Sequence, residues 1–251
     1  MASGVFGGRA GYIQVTRTFY YSIVFVFPLF VIYEVGIWLV NVRYPIRNGA
    51  DVILHEVLYS FGDLSFYGLG ALVLATSMLQ FERERRRYRL KLKSAYLVGM
   101  LTESAVYAFL LGNVSSALTR ALLPGLSILP LVGNTPSAPT GLFPQIILSI
   151  GAGLYEEILF RVLLVSGVFT LLGWLAKKYT LRTRYIAAAL IAAFIFSAFH
   201  YVGAYAYDFT IESFTFRLMA GLLLNGLYLS RGFGIAVWTH ALYDILVTLH
   251  R

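Results

Sequence analysis

The chain has 251 residues, of which 59% are hydrophobic and 13% charged, about half the charged fraction of an average soluble domain. Twenty Lys and Arg against twelve Asp and Glu leave a net charge of +8, and there is no cysteine. This composition argues against a water-soluble domain and excludes a disulfide framework, a thiolate metal site and a cysteine nucleophile.

Seven stretches are long and apolar enough to be expected as membrane-crossing helices: Phe19–Val40, Leu64–Phe81, Ser94–Leu111, Pro144–Trp174, Ile186–Tyr207, Phe214–Ser230 and Gly234–Leu249. Open strands would strand unpaired backbone groups in lipid, and no alternating ten-residue pattern suggests a barrel. Between the third and fourth spans, Gly112–Phe143 is rich in Gly, Pro, Ser and Asn. Within it Val114–Leu123 is expected as a separate interfacial or re-entrant helix, an eighth element, ended by Pro124, Pro130, Pro136 and Pro139. The expected fold is therefore an all-α polytopic transmembrane bundle of seven to eight helices, with residues 1–251 forming one integral-membrane domain.

Charge sets the orientation. The segment Phe81–Lys93, FERERRRYRLKLK, holds seven basic residues, and the positive-inside rule keeps it in the cytoplasm. Arg9, Arg17, Lys177, Lys178, Arg182, Arg184 and Arg231 then share its side, while Arg43, Arg47, Arg120 and Arg251 fall on the other. The basic excess is thus an orientation signal and a contact for anionic lipid, not a nucleic-acid patch. The first 18 residues lack the short apolar core and cleavage site of a signal peptide, so the first span is expected as an anchor with a cytoplasmic N-terminus.

Charges are costly at mid-bilayer, so ionisable residues inside spans are candidates for function. The fourth span reads GAGLYEEILFRVLL. Glu157 and Arg161, four apart, share a helical face and can neutralise each other. Glu156, about 100° around an α-helix from Glu157, is left to point into a polar cavity, where it suits a general base acting on water. The fifth span carries Phe196 and His200 on one face, beside Ala189, Ala193 and Ser197, small residues that allow a close neighbouring helix. The seventh carries His240 and Asp244, again four apart, where the carboxylate can orient the ring or share a site with it. Arg217 is expected to snorkel outward and pair with Glu212 or Asp208. Glu34, Glu103 and Asn225 read as interhelical hydrogen-bond partners. His55-Glu56 lacks the second histidine of a zincin motif, since position 59 is Tyr59.

Glu156-Glu157-x-x-x-Arg161, Phe196-x-x-x-His200 and His240-x-x-x-Asp244, in this order inside apolar helices, resemble the three motifs of the CPBP (Abi) family. That family groups type II CAAX prenyl endopeptidases with bacterial bacteriocin-processing and self-immunity proteins. The resemblance runs from Ile146 to Leu249, including the segment with Arg217, Gly221 and Gly226, and defines a catalytic core of about residues 144–250. It implies an intramembrane protease, located in a prokaryotic cell membrane, that cuts a membrane-associated substrate, prenylated or not, near its C-terminus. Carried over, Glu156 activates the water with His200, His240 and Asp244 stabilise the oxyanion, and Glu157, Arg161 and Phe196 support them. Asp244 stands where the family commonly has Asn; a protonated Asp can still donate. No cofactor is expected; the alternative is zinc held by Glu156, His200 and His240.

Two other functions use the same residues. Intramembrane Glu and His form relays in proton- or cation-coupled transporters, although inverted halves are not evident here. A non-enzymatic immunity or scaffold protein would need only partner-binding surfaces. The depths of the candidate residues disagree: counting from the cytoplasmic span ends at about 1.5 Å per residue, Glu156 lies about 27 Å in, His200 about 21 Å and His240 about 9 Å.

Overall fold

The computed structural model describes residues 11–42, 46–60, 62–125, 141–203 and 206–250, without the side chains of residues 63–67 and 69. These residues form helices without strands: α1 (Tyr12–Thr16), α2 (Phe19–Asn41), α3 (Gly49–Tyr59), α4 (Asp63–Arg87), α5 (Ser94–Leu122), α6 (Leu142–Leu175), α7 (Leu181–Phe199), α8 (Ile211–Arg231) and α9 (Phe233–Leu249). The all-α bundle is as expected. Four helices, α2, α5, α6 and α7, are long and apolar enough to cross a membrane, and α9 is apolar but shorter. The second and sixth expected spans fall within α4 and α8.

Local signals fix the helix starts. Thr18, Asn48, Thr180 and Thr210 each accept a backbone N–H of the first turn of α2, α3, α7 and α8, satisfying a donor that has no partner within the helix. Gly232, at φ +91°, makes the sharp reversal from α8 into α9, a conformation that favours glycine.

Three boundaries differ from the sequence expectation. Helix α5 runs unbroken through Gly112 and Asn113, so Val114–Leu123 is the end of a spanning helix and not a separate element. The reason is tertiary. A Cβ on Gly112 would come within 2.8 Å of the Tyr243 ring, so this glycine serves a helix crossing and not a turn. Asn113 donates back to the Phe109 carbonyl at 2.7 Å, within the helix. Helix α7 ends at Phe199 instead of Tyr207, and the chain turns through Gly203 at φ +98°. Helix α3 is an addition to the expected elements. It is held by Asp51, a fully buried side chain that receives Arg47, the Tyr33 hydroxyl and His55, each at 2.8 Å. The prolines at 130, 136 and 139, and Arg9, Arg43 and Arg251, lie outside the described residues.

The core is layered. At the end bearing the 84–93 segment, Tyr20, Tyr21, Phe25, Met100 and Ile235 pack together. Further along α2, a second cluster joins Val26, Leu29, Tyr33 and Ile37 to Ile147, Ile150 and Leu154 of α6 and Val237 and Ala241 of α9. Helices α7 and α8 meet through small residues, as the stripe predicts. A Cβ on Gly221 would sit 2.9 Å from the Phe196 ring and 3.4 Å from the Ala193 Cα. Ser197 donates to the Phe214 carbonyl at 2.7 Å and Asn225 to that of Ala189 at 2.9 Å.

Candidate active site

The two glutamates sit on α6 and His240 on α9, and one glycine lets these helices touch. A Cβ on Gly153 would stand 2.5 Å from the Ala241 nitrogen and 2.7 Å from its Cα. Both are backbone atoms that cannot turn aside, so the crossing requires glycine. Around the same point α6 widens into π-helix over Ala152–Glu156 and Ile158–Val165, the i→i+5 form often found at functional sites. A wider turn separates successive side chains by a smaller angle. Glu156 and Glu157 both lie beside His240, Glu157 Oε1 at 2.7 Å from Nδ1 and Glu156 Oε2 at 3.9 Å from Nε2.

The two nitrogens of His240 have different partners. Nδ1 lies 2.7 Å from Glu157 Oε1, and an ionised carboxylate only accepts, so Nδ1 carries the proton. Arg161 approaches the same Glu157 oxygen at 3.0 Å. The expected Glu157–Arg161 pair is present, and its charge also anchors the ring. Nε2 faces Glu156 Oε2 at 3.9 Å and Asp244 Oδ2 at 3.6 Å. Glu156, Glu157, Arg161 and His240 are all buried, Glu157 and Arg161 completely.

Phe196 ties the second histidine to this group. The Arg161 guanidinium lies 4.6 Å over its ring, and the ring packs edge-on against His200 at 4.9 Å and His240 at 6.2 Å. His200 Nδ1 is 2.8 Å from the Phe196 carbonyl. A carbonyl oxygen only accepts, so Nδ1 is protonated and Nε2 of the neutral ring is an acceptor.

A cavity of about 320 Å³ joins these groups; its lining includes Asn48, Glu156, His200, Arg217, His240 and Asp244, but not Glu157 or Arg161. Sequence reasoning missed Asn48. Its amide oxygen caps α3 by accepting Ala50 N–H at 2.9 Å, which turns its NH2 toward Glu156 Oε1 at 3.3 Å. The available signal is an Asn-Gly pair opening an acidic first turn, which marks a helix start but not the partner of the other half of the amide. Arg217 departs from its expected role. Its guanidinium lies 4.2 Å over the Tyr207 ring and donates to Tyr201 Oη at 3.0 Å and to Ser213 Oγ, so tyrosines and a serine draw it to the cavity in place of Glu212 or Asp208.

Among the described residues no group of three or more His, Asp or Glu side chains stands close enough together to hold a metal ion. His240 gives Nδ1 to Glu157 and keeps Nε2 at 3.9 Å from Glu156.

Residues 138–246 match the family model of the type II CAAX prenyl endopeptidase Rce1-like. This segment is Rce1-like. The match spans α6 to α9 and contains all three motifs on which the CPBP resemblance rests, while Arg47, Asn48 and Leu111 of the cavity lining come from the segment before it. No curated protein and no solved structure matches the chain. An Rce1-like segment indicates a hydrolase of the CAAX-protease type, and with four membrane-competent helices the chain is an integral membrane protein.

Proposed function

We propose that the chain is a glutamate-dependent intramembrane endopeptidase that hydrolyses a peptide bond near the C-terminus of a membrane-associated substrate. The observation that carries this is the unequal treatment of two adjacent glutamates around one imidazole. Glu157 turns away from the cavity and gives Oε1 to both Arg161 and His240 Nδ1, while Glu156 lines the cavity and faces Nε2 at 3.9 Å. At that separation the two groups make no direct hydrogen bond, and in this reading the nucleophilic water lies between them.

In this reading Glu156 takes a proton from that water, and His200 Nε2 accepts its other hydrogen. The water oxygen bonds to the scissile carbonyl carbon as the carbonyl π bond opens to an oxyanion. A protonated His240, held by Glu157, presents Nε2–H to that oxyanion, with protonated Asp244 as a second donor. Collapse of the intermediate breaks the C–N bond, and Glu156 returns its proton to the leaving amine. Arg161 and Phe196 are positioning residues: one holds Glu157, the other spaces the two histidines. The chemistry runs without a metal, so chelation by phenanthroline is expected to leave the rate unchanged.

The test is cleavage of a membrane-tethered peptide by purified chain in proteoliposomes. Glu156→Gln keeps the shape, removes the base, and is expected to lower the rate by about 10²–10⁴-fold with unaltered thermal stability. Full activity in that variant overturns the proposal. So does pH-driven ion flux by a wild-type chain that cleaves nothing.

A further inference from the structure

We infer that the cavity opens on the side of the bilayer opposite the basic loops, so that substrate reaches Glu156 from the extracytoplasmic face. The substrate half of this statement rests on the proteolytic reading above; the orientation half does not.

The ends of the bundle are chemically distinct. At one end the first turn of α2 is fastened to the 84–93 segment: Glu84 accepts from Tyr20 N at 3.0 Å, and Tyr21 Oη donates to the Lys91 carbonyl at 2.8 Å and accepts from Lys93 N at 3.1 Å. Arg17 reaches the Leu229 carbonyl at 2.8 Å, beside the Gly232 turn. Seven basic residues lie in Phe81–Lys93, and Lys177, Lys178, Arg182 and Arg184 come after the end of α6, on this same side of the bundle. Short loops with this excess of Lys and Arg remain in the cytoplasm.

The polar groups of the cavity lie toward the other end, with His240 near the middle of α9 and Glu156 deepest. Asn48 and Arg47 precede α3, Gln145 and Ser149 lie in the first turns of α6, and His200 comes directly after the last residue of α7. Tyr207 and Arg217 lie before and just inside α8, and Asp244 and Thr248 are in the final turns of α9. Side-chain contacts between these termini place them at one end: Ser149 and Thr248 hydroxyls meet at 3.2 Å, Tyr201 donates to Ser213 at 2.7 Å, and the Phe199 ring lies 3.7 Å from where a Gly49 Cβ would be. Toward the basic end the way is filled by buried Val26, Leu29, Leu154 and Val237, then by Tyr21, Phe25, Met100 and Ile235. The depths that disagree when counted from the cytoplasm now have a common origin. His200 stands at its helix end, Arg217 about 9 Å in, His240 about 14 Å and Glu156 about 21 Å, so the groups descend from one rim to the base. The substrate class that fits is a polypeptide presented at the extracytoplasmic leaflet, not a C-terminus anchored in the cytoplasmic one.

Because the chain has no cysteine, an introduced one is unique. Val57→Cys on exposed α3, Thr248→Cys at the rim and Lys178→Cys in a basic loop are to be reacted in intact cells with a membrane-impermeant maleimide. The first two are expected to label directly and the third only after permeabilisation. Labelling of Lys178→Cys in intact cells, or failure of Thr248→Cys to label until the cells are opened, overturns the inference. Repeating the series on Glu156→Gln separates the questions, since labelling depends on the opening and not on catalysis. In proteoliposomes of known orientation, tethered peptide in the leaflet away from the basic loops is expected to be cleaved; cleavage confined to the other leaflet overturns the substrate half alone.

Discussion

Two carboxylates of the bundle, Glu156 buried and Glu103 partly so, show how an acid in lipid is spent on structure or kept for chemistry. Glu103 of α5 is closed off. Arg231 meets it twice, Nη2 to Oε2 at 2.6 Å and Nε to Oε1 at 3.2 Å, and Tyr12 adds a hydroxyl at 3.0 Å. Arg231 in turn reaches Thr16 Oγ1 and the Ile13 carbonyl, so the cluster binds α1, α5 and α8 together. Glu156 has one hydrogen bond, from Asn48, a histidine at 3.9 Å and a cavity in front of it. A bidentate guanidinium leaves a carboxylate nothing further to do. An acid held at one oxygen with the other turned to a cavity can exchange a proton.

The comparison breaks if the two glutamates respond alike to the same substitution. Glu156→Gln is expected to cost about 10²–10⁴-fold in turnover and little in melting temperature, because Gln still accepts from Asn48. Glu103→Gln is expected to do the reverse. It leaves Arg231, whose side chain is 7% exposed, without its counter-charge, while Glu103 itself is 27% exposed. The cost then falls near the low end for a broken buried pair, about 3 kcal/mol, with turnover per folded molecule unchanged. Thermal unfolding in detergent and cleavage by the surviving folded fraction measure both. Equal losses of activity in the two variants would make both acids structural.

The difference between these acids is only partly legible in the sequence. Spacing yields the Glu157–Arg161 pair and, through the small residues at 189, 193 and 197, the close approach of α7 and α8. It assigns Glu103 a hydrogen-bonding role without naming Arg231, which is 128 residues away and reads as a loop charge. Periodicity sees one helix at a time, whereas partner choice is set where helices cross. The π-helical turns are equally invisible: nothing in GAGLYEE distinguishes them from α-helix. Helix α3 is hidden by its length and mixed composition, and Asn48 with it.

Asn48 gives a finer test of the open acid. Asn48→Ala removes the donor to Glu156 Oε1 at 3.3 Å and the α3 cap together. Asn48→Asp keeps the cap and replaces the donor with a second carboxylate. Both are expected to reduce turnover about tenfold, equivalent to about 1.4 kcal/mol, within the range for a hydrogen bond to a charged group. Only the alanine variant should lose stability as well, by about 1 kcal/mol. If Asn48→Asp is fully active, the amide serves α3 alone and Glu156 is positioned entirely from α6.

The smallest effect concerns the closed acid and pH. Tyr12 precedes the first span, and its phenol is pushed up to about 12 by burial and by the Glu103 carboxylate it donates to. An unfolded tyrosine ionises near 10. Between these values the folded chain keeps a proton that the unfolded chain has released, so stability falls as pH rises from about 10 to about 12 and is constant below. Tyr12→Phe removes this group and should make that decline shallower while slightly lowering stability at neutral pH, through loss of one hydrogen bond to Glu103. Cleavage at neutral pH should be unchanged, since Tyr12 belongs to the basic end and the cavity to the other. A decline in melting temperature between pH 10 and 12 that is as steep in the phenylalanine variant as in the wild type would assign the titration to other groups, and the Glu103 cluster would then lack the closed character on which its contrast with Glu156 depends.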